Sequence, residues 1–91
     1  MSIVVRFAPA SLSAEKYDQT VSKLEAGGDW PPDGLDYHVC FGEDGNLLVS
    51  EIWDSQGQFD AFGERLMPIL EEVGIDAGEP TVFEVHNTIK R

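Results

Sequence analysis

The chain has 91 residues and a formal net charge of −11, from 17 acidic against 6 basic residues. That length suits one domain and leaves no room for two. Binding to nucleic acid or to an anionic membrane surface needs a basic stripe, and the six basic residues, Arg6, Lys16, Lys23, Arg65, Lys90 and Arg91, are scattered, so neither partner is expected.

Apolar residues make up 42% and charged residues 25% of the chain, which is a globular balance rather than a disordered one. A domain this small buries only about 60–65% of the surface its unfolded chain exposes. Its core is thin, and covering one more face with a partner would help. Cys40 is the one cysteine, so no intrachain disulfide forms. The opening Met-Ser-Ile runs straight into a strand pattern, with no basic and apolar leader and no apolar run near 18 residues. The expectation is a cytoplasmic protein.

Ile3 to Ala8 (IVVRFA) is β-branched and aromatic and stops at Pro9, which reads as a strand. Ser13 has the position of an N-cap, with Glu15 in the first turn, where the helix dipole favours an anion. Tyr17, Val21 and Leu24 then form one helical stripe that ends at Gly27-Gly28. The loop Gly28 to Gly34 holds Trp30 and two prolines. Leu35 to Phe41 alternates as a half-buried strand, Glu43-Asp44-Gly45-Asn46 supplies a turn, and Leu47 to Trp53 returns. Ser55 and Gln58 make a capping box. Phe59, Phe62, Leu66, Ile69, Leu70 and Val73 follow at helical spacing, with Pro68 expected to bend or split the helix. Thr81 to Ile89 reads as the last strand. The order β-α-β-β-α-β is that of a ferredoxin-like α+β fold.

The segments Ser50–Phe62 (SEIWDSQGQFDAF) and Gly34–His38 (GLDYH) resemble the dimeric α+β barrel superfamily, and within it the antibiotic-biosynthesis-monooxygenase-like proteins. The resemblance implies a four-stranded antiparallel sheet in the order 4-1-3-2. Two helices would cover one face, and the other face would pair across a two-fold axis with a second copy to make a homodimer. Superfamily members include haem-degrading, dye-decolorising and muconolactone-isomerising enzymes, so fold settles little about activity. Monooxygenase-like members often carry a histidine in the second helix, where this chain has Phe62.

Alternation divides each strand. Ile3, Val5 and Phe7 oppose Val4, Arg6 and Ala8; Leu35, Tyr37, Val39 and Phe41 oppose Asp36, His38 and Cys40; Phe83 and Val85 oppose Val82, Glu84 and His86. The oily sets are expected under the helices, and the mixed set of Arg6, Asp36, His38, Cys40, Glu84 and His86 in a semi-polar cavity between two sheets. The third strand has two registers. A two-residue turn at Asp44-Gly45 sets His38 opposite Glu51, with Glu51 and Trp53 on the face of His38; a bulged turn reverses this. The first is preferred, because Glu51 under the helices would be a buried charge without an evident partner.

Asp36-x-His38-x-Cys40 and Glu84-x-His86 contain metal-ligand types, but the two sets lie on opposite sheet edges, about 14 Å apart. No metal site is assigned. His38 with Glu51 is the candidate acid/base pair, since a carboxylate orients an imidazole for proton transfer. Arg6 would clamp an anionic group, and Trp53 and His86 would complete a ligand site. Trp30 would cover the cavity mouth. Cys40 has no basic neighbour in sequence to activate it, and no phosphate loop, Gly-x-Ser-x-Gly or Cys-x-x-Cys is present. The expectation is a small dimeric α+β barrel protein with no bound cofactor. It would be a monooxygenase-like or isomerase-like enzyme acting on a small, partly apolar molecule. The alternative is a non-catalytic ligand-binding or accessory module.

Overall fold

A computed structural model describes residues 1–91. The elements are β1 (Ile3–Phe7), α1 (Ala14–Ala26), β2 (Leu35–Glu43), β3 (Asn46–Trp53), α2 (Gln56–Val73) and β4 (Thr81–Glu84). They form one antiparallel four-stranded sheet in the order β2-β3-β1-β4, with two helices. This is the ferredoxin-like α+β arrangement expected from the element order. No helix is long and apolar enough to cross a membrane.

Local chemistry sets the helix ends. The Ser13 side chain accepts from the backbone N–H of Lys16, and Asp44 in the hairpin turn accepts from that of Ala14. Two of the orphan donors at the start of α1 are thereby satisfied. At α2, Ser55 accepts from the N–H of Gln58. Its C-cap, Gly74, sits at φ 86°, the left-handed region that glycine enters without a Cβ penalty. Pro68 does not split α2, which runs unbroken to Val73 with Pro68 on its exposed side.

β4 is shorter than the sequence pattern suggested, ending at Glu84 rather than Ile89. The reason is its partner: β1 begins at Ile3, which pairs with Glu84. Only the N–H of Val85 reaches further, donating to the Ser2 carbonyl. Beyond that point there is no ladder for the chain to join.

The core is Ile3, Val5, Leu24, Trp53 and Phe62, with Phe7, Trp30, Leu35, Phe59, Leu66, Ile69 and Val82 packed around it. The sheet registers align Ile3 with Trp53, Val5 with Glu51 and Phe7 with Val49, so these residues share the helix-covered face.

Two of the three strand faces read from alternation are corrected. In β2, Leu35 lies opposite Trp53, but Tyr37 lies opposite Ile52, because a bulge falls between them. One extra residue reverses every side chain after it. His38 and Cys40 therefore turn toward the helices, while Tyr37, Val39 and Phe41 turn away. In β4, Val82 packs on the core and Phe83 lies opposite Val4 on the uncovered side. The expected semi-polar cavity between sheets is not formed by these residues. The uncovered face carries Val4, Tyr37, Val39, Phe41, Ile52 and Phe83, with Arg6 and Ser50 among them. Phe83 is 60% and Tyr37 52% exposed there.

Candidate functional site

The two-residue turn at Asp44-Gly45 sets Glu43 opposite Asn46, with Gly45 at φ 92°. That register carries His38 opposite Glu51, as preferred from the sequence. Its face is the other one. Glu51 is 4% exposed beneath the helices and has two partners. Its Oε2 lies 2.6 Å from His38 Nδ1, and its Oε1 accepts from the Trp53 indole N–H at 3.0 Å. The buried charge that weighed against this face is thus met by two donors, and no buried side-chain polar atom in the chain lacks a partner.

The other ring nitrogen of His38 meets α1. Nε2 lies 2.7 Å from the Tyr17 hydroxyl. A Glu51 carboxylate only accepts, so Nδ1 carries the proton; when the ring is neutral, Nε2 accepts from Tyr17. The result is one line of hydrogen bonds, Tyr17 to His38 to Glu51, with Trp53 donating at its end. The Tyr17 phenol is pushed up to about 12, first by burial and then by the neighbouring Cys40, Glu51 and Asp18, so it stays a neutral donor. Burial, and then Asp18, also raise the Cys40 thiol, which disfavours the nucleophilic thiolate.

Aromatic side chains frame the cluster. Trp30 meets the His38 ring edge-on, with centroids 4.9 Å apart, and lies 6.2 Å from Phe62. Phe62 is buried and sits 5.5 Å from Trp53. An imidazole reaches this space from β2, while α2 supplies the aromatic wall at Phe62. The Trp30 loop is tied to α2 by Asp29, whose Oδ1 lies 3.1 Å from Arg65 Nε. The Arg65 guanidinium lies 5.8 Å from the Phe62 ring centre.

These residues line a half-open cavity of about 70 Å³ between the sheet and the helices, with a mostly apolar lining. Tyr17, Thr20, His38 and Glu51 stand among its lining residues with Trp30, Phe62 and Leu66, but the surface open to the cavity is almost wholly apolar. A benzene ring occupies an engineered cavity of roughly 150 Å³. A ring-sized guest therefore needs one wall to shift, and Trp30 stands on a loop.

The remaining sequence candidates do not gather here. Arg6 is exposed on the uncovered face, opposite Ser50 and Thr81, across the sheet from His38. It offers the cavity no cation. His86 is exposed beyond the end of β4. Trp53 is fully buried and meets the site through its hydrogen bond to Glu51. Asp36 falls in the bulge and pairs with Lys90 at 3.2 Å, so it does not share a face with His38 and Cys40. Tyr17 was read only as part of a helical stripe. A tyrosine on a core-facing stripe has to find a partner for its hydroxyl, and that was the available signal.

No family model matches the chain, and no curated protein matches it. Solved structures do. A Deinococcus radiodurans protein described as a candidate antibiotic biosynthesis monooxygenase is 20% identical, with TM-score 0.62 over 100% of this chain and 98% of that one. SnoaB, a cofactor-independent oxygenase from Streptomyces nogalater, is 17% identical, with TM-score 0.61 over 99% and 96%. MupZ from Pseudomonas fluorescens is 8% identical, with TM-score 0.67 over 99% and 94%. The resemblance to antibiotic-biosynthesis-monooxygenase-like proteins thus holds at the level of fold.

Proposed function

We propose that the protein is a cofactor-free enzyme in which His38 takes a proton from a small, partly apolar, weakly acidic molecule held between the sheet and the helices. Glu51 orients the ring and balances the imidazolium that forms. The observation that carries this reading is the oriented imidazole, bound at both nitrogens, on the wall of an apolar cavity.

The fold likeness to a cofactor-independent oxygenase favours oxygenation as the next step. Loss of a proton from a phenol or enol leaves an anion with electron density on carbon. That carbon adds dioxygen to form a hydroperoxide, which loses water to leave a carbonyl. For 1-naphthol the balance is one naphthol and one dioxygen to one 1,4-naphthoquinone and one water. Reprotonation of the same anion at another atom would instead give an isomerase-like reaction.

The uncovered apolar face supports pairing with a second copy. Fully burying an exposed aromatic side chain contributes about 1.5–3 kcal/mol, and Phe83, Tyr37 and Phe41 are all on offer.

A second reading, a ligand-binding or accessory module without catalysis, is favoured by one observation: Nε2 of His38 is already engaged by Tyr17. Oxygen uptake with 1-naphthol separates the two. His38→Asn keeps a donor for Glu51 and deletes the basic nitrogen. Uptake by the native protein that falls at least 100-fold in His38→Asn supports the enzyme. Binding of 1-naphthol with no uptake supports the module.

A further inference from the structure

We infer that the Trp30 indole occupies the ligand's own place, and that the site takes a flat, uncharged aromatic molecule of indole size, which displaces Trp30 and packs against His38 and Phe62. The inference rests on the small-molecule reading of the cavity and adds to it a ligand class and the side chain that competes with it.

The free space shows that a wall must give way. A void of about 70 Å³ does not hold even a benzene ring, which occupies roughly 150 Å³. The loop residues at the far end of the cavity are fastened by backbone bonds. The Leu12 carbonyl accepts from Leu47, Ala10 donates to Asp76, and Ile75 donates to Leu70. Trp30 makes no backbone hydrogen bond and is half-buried. Trp53, by contrast, is fully buried with its indole N–H bound to Glu51.

The chain is secured on both sides of Trp30 rather than at it. The Asp29 N–H donates to the Leu24 carbonyl, and its carboxylate pairs with Arg65. The Pro32 carbonyl accepts from the Leu35 N–H. The indole can therefore swing out about its own side-chain bonds while the loop stays in place.

What the indole touches defines what replaces it. Its ring stands at 88° to the His38 ring, 4.9 Å between centroids, and at 44° to Phe62, 6.2 Å away. A flat aromatic guest restores both ring contacts, and a puckered saturated ring restores neither. These contacts leave the nitrogens of His38 bound to Tyr17 and Glu51. No lysine or arginine lines the cavity, and its open surface is almost wholly apolar, so a charged guest would lose its hydration for nothing.

The test compares 1-naphthol with decahydro-1-naphthol, the same skeleton saturated, by NMR titration of the native chain and of Trp30→Ala. In the native chain, bound 1-naphthol is expected to abolish the nuclear Overhauser contacts between the Trp30 and His38 rings. Trp30→Ala removes the competitor and is expected to bind 1-naphthol about tenfold tighter than the native chain does. It is expected to bind the saturated compound about tenfold more weakly than 1-naphthol. Circular dichroism checks that the variant is folded, and if it is not, the Overhauser contacts of the native chain decide alone. Bound 1-naphthol with those contacts intact, or equal or weaker binding by folded Trp30→Ala, makes Trp30 a fixed wall and overturns the inference while the small-molecule reading stands. Equal binding of the two compounds overturns the selection for aromatic rings. If neither compound shifts a cavity resonance in either protein, the small-molecule reading itself falls, and this inference with it.

Discussion

His38 and Glu51 face each other across the β2–β3 ladder, Nδ1 to Oε2 at 2.6 Å, on the side of the sheet that the helices cover. A carboxylate in that place is stable only while its donors are there. Removing one side of a buried hydrogen-bonded pair leaves the other desolvated and alone.

Glu51→Ala is therefore expected to lower stability by about 3 kcal/mol, since it strands the donors of His38 and Trp53 and opens a void. Glu51→Gln keeps the volume and one acceptor oxygen, and is expected to cost about 1–2 kcal/mol. Urea denaturation measures both. Equal midpoints for the two variants would mean that the carboxylate is not held as described.

Alkaline pH should act through Tyr17. Its phenol titrates at about 12 in the folded chain against 10.0 ordinarily, chiefly because of burial. The unfolded chain gives up this proton first, so the contribution of Tyr17 is intact below pH 10 and is lost as pH rises toward 12. The difference in phenolate absorbance between the native protein and Tyr17→Phe should have its midpoint near 12. Stability should also fall less steeply across that window in Tyr17→Phe.

Phe83→Glu places a charge in the middle of the uncovered apolar face, opposite Val4. Sedimentation is expected to show a dimer at micromolar concentration for the native chain and a monomer for the variant, with unchanged circular dichroism. A native monomer at that concentration would contradict self-pairing.

Arg65→Ala releases Asp29 from α2. Both partners are partly exposed, so stability should change by no more than about 1 kcal/mol. The larger effect is expected on the Trp30 loop, seen as increased quenching of tryptophan fluorescence by acrylamide. Unchanged quenching would show that Asp29 and Arg65 do not hold the loop.

The fold was legible because its signals are local. Ser13 and Ser55 mark helix starts, Asp44-Gly45 marks the hairpin, and the element order leaves a single familiar topology. The hairpin register was legible too, and with it the pairing of His38 and Glu51. The faces were not. Alternation assumes an unbroken ladder, and the bulge at Asp36 reverses the phase of β2 from Tyr37 onward. No residue type around Asp36 announces that extra position. Phe83 was misplaced for another reason: an aromatic residue is ordinarily assigned to the core, but a sheet with two apolar faces gives it two homes. Tyr17 went unassigned because its partner is 21 positions away in sequence and only the tertiary fold brings them together.

Proton abstraction at His38 can be observed directly with 4-nitrophenol, whose phenolate absorbs visible light, buffered one unit below its own pKa. Addition of the native protein in excess is expected to raise the phenolate band as the probe gives its proton to the cluster, and His38→Asn is expected to bind the probe without raising the band. A band of equal strength in both proteins, or a bound probe that stays neutral in the native protein, would contradict the role given to His38.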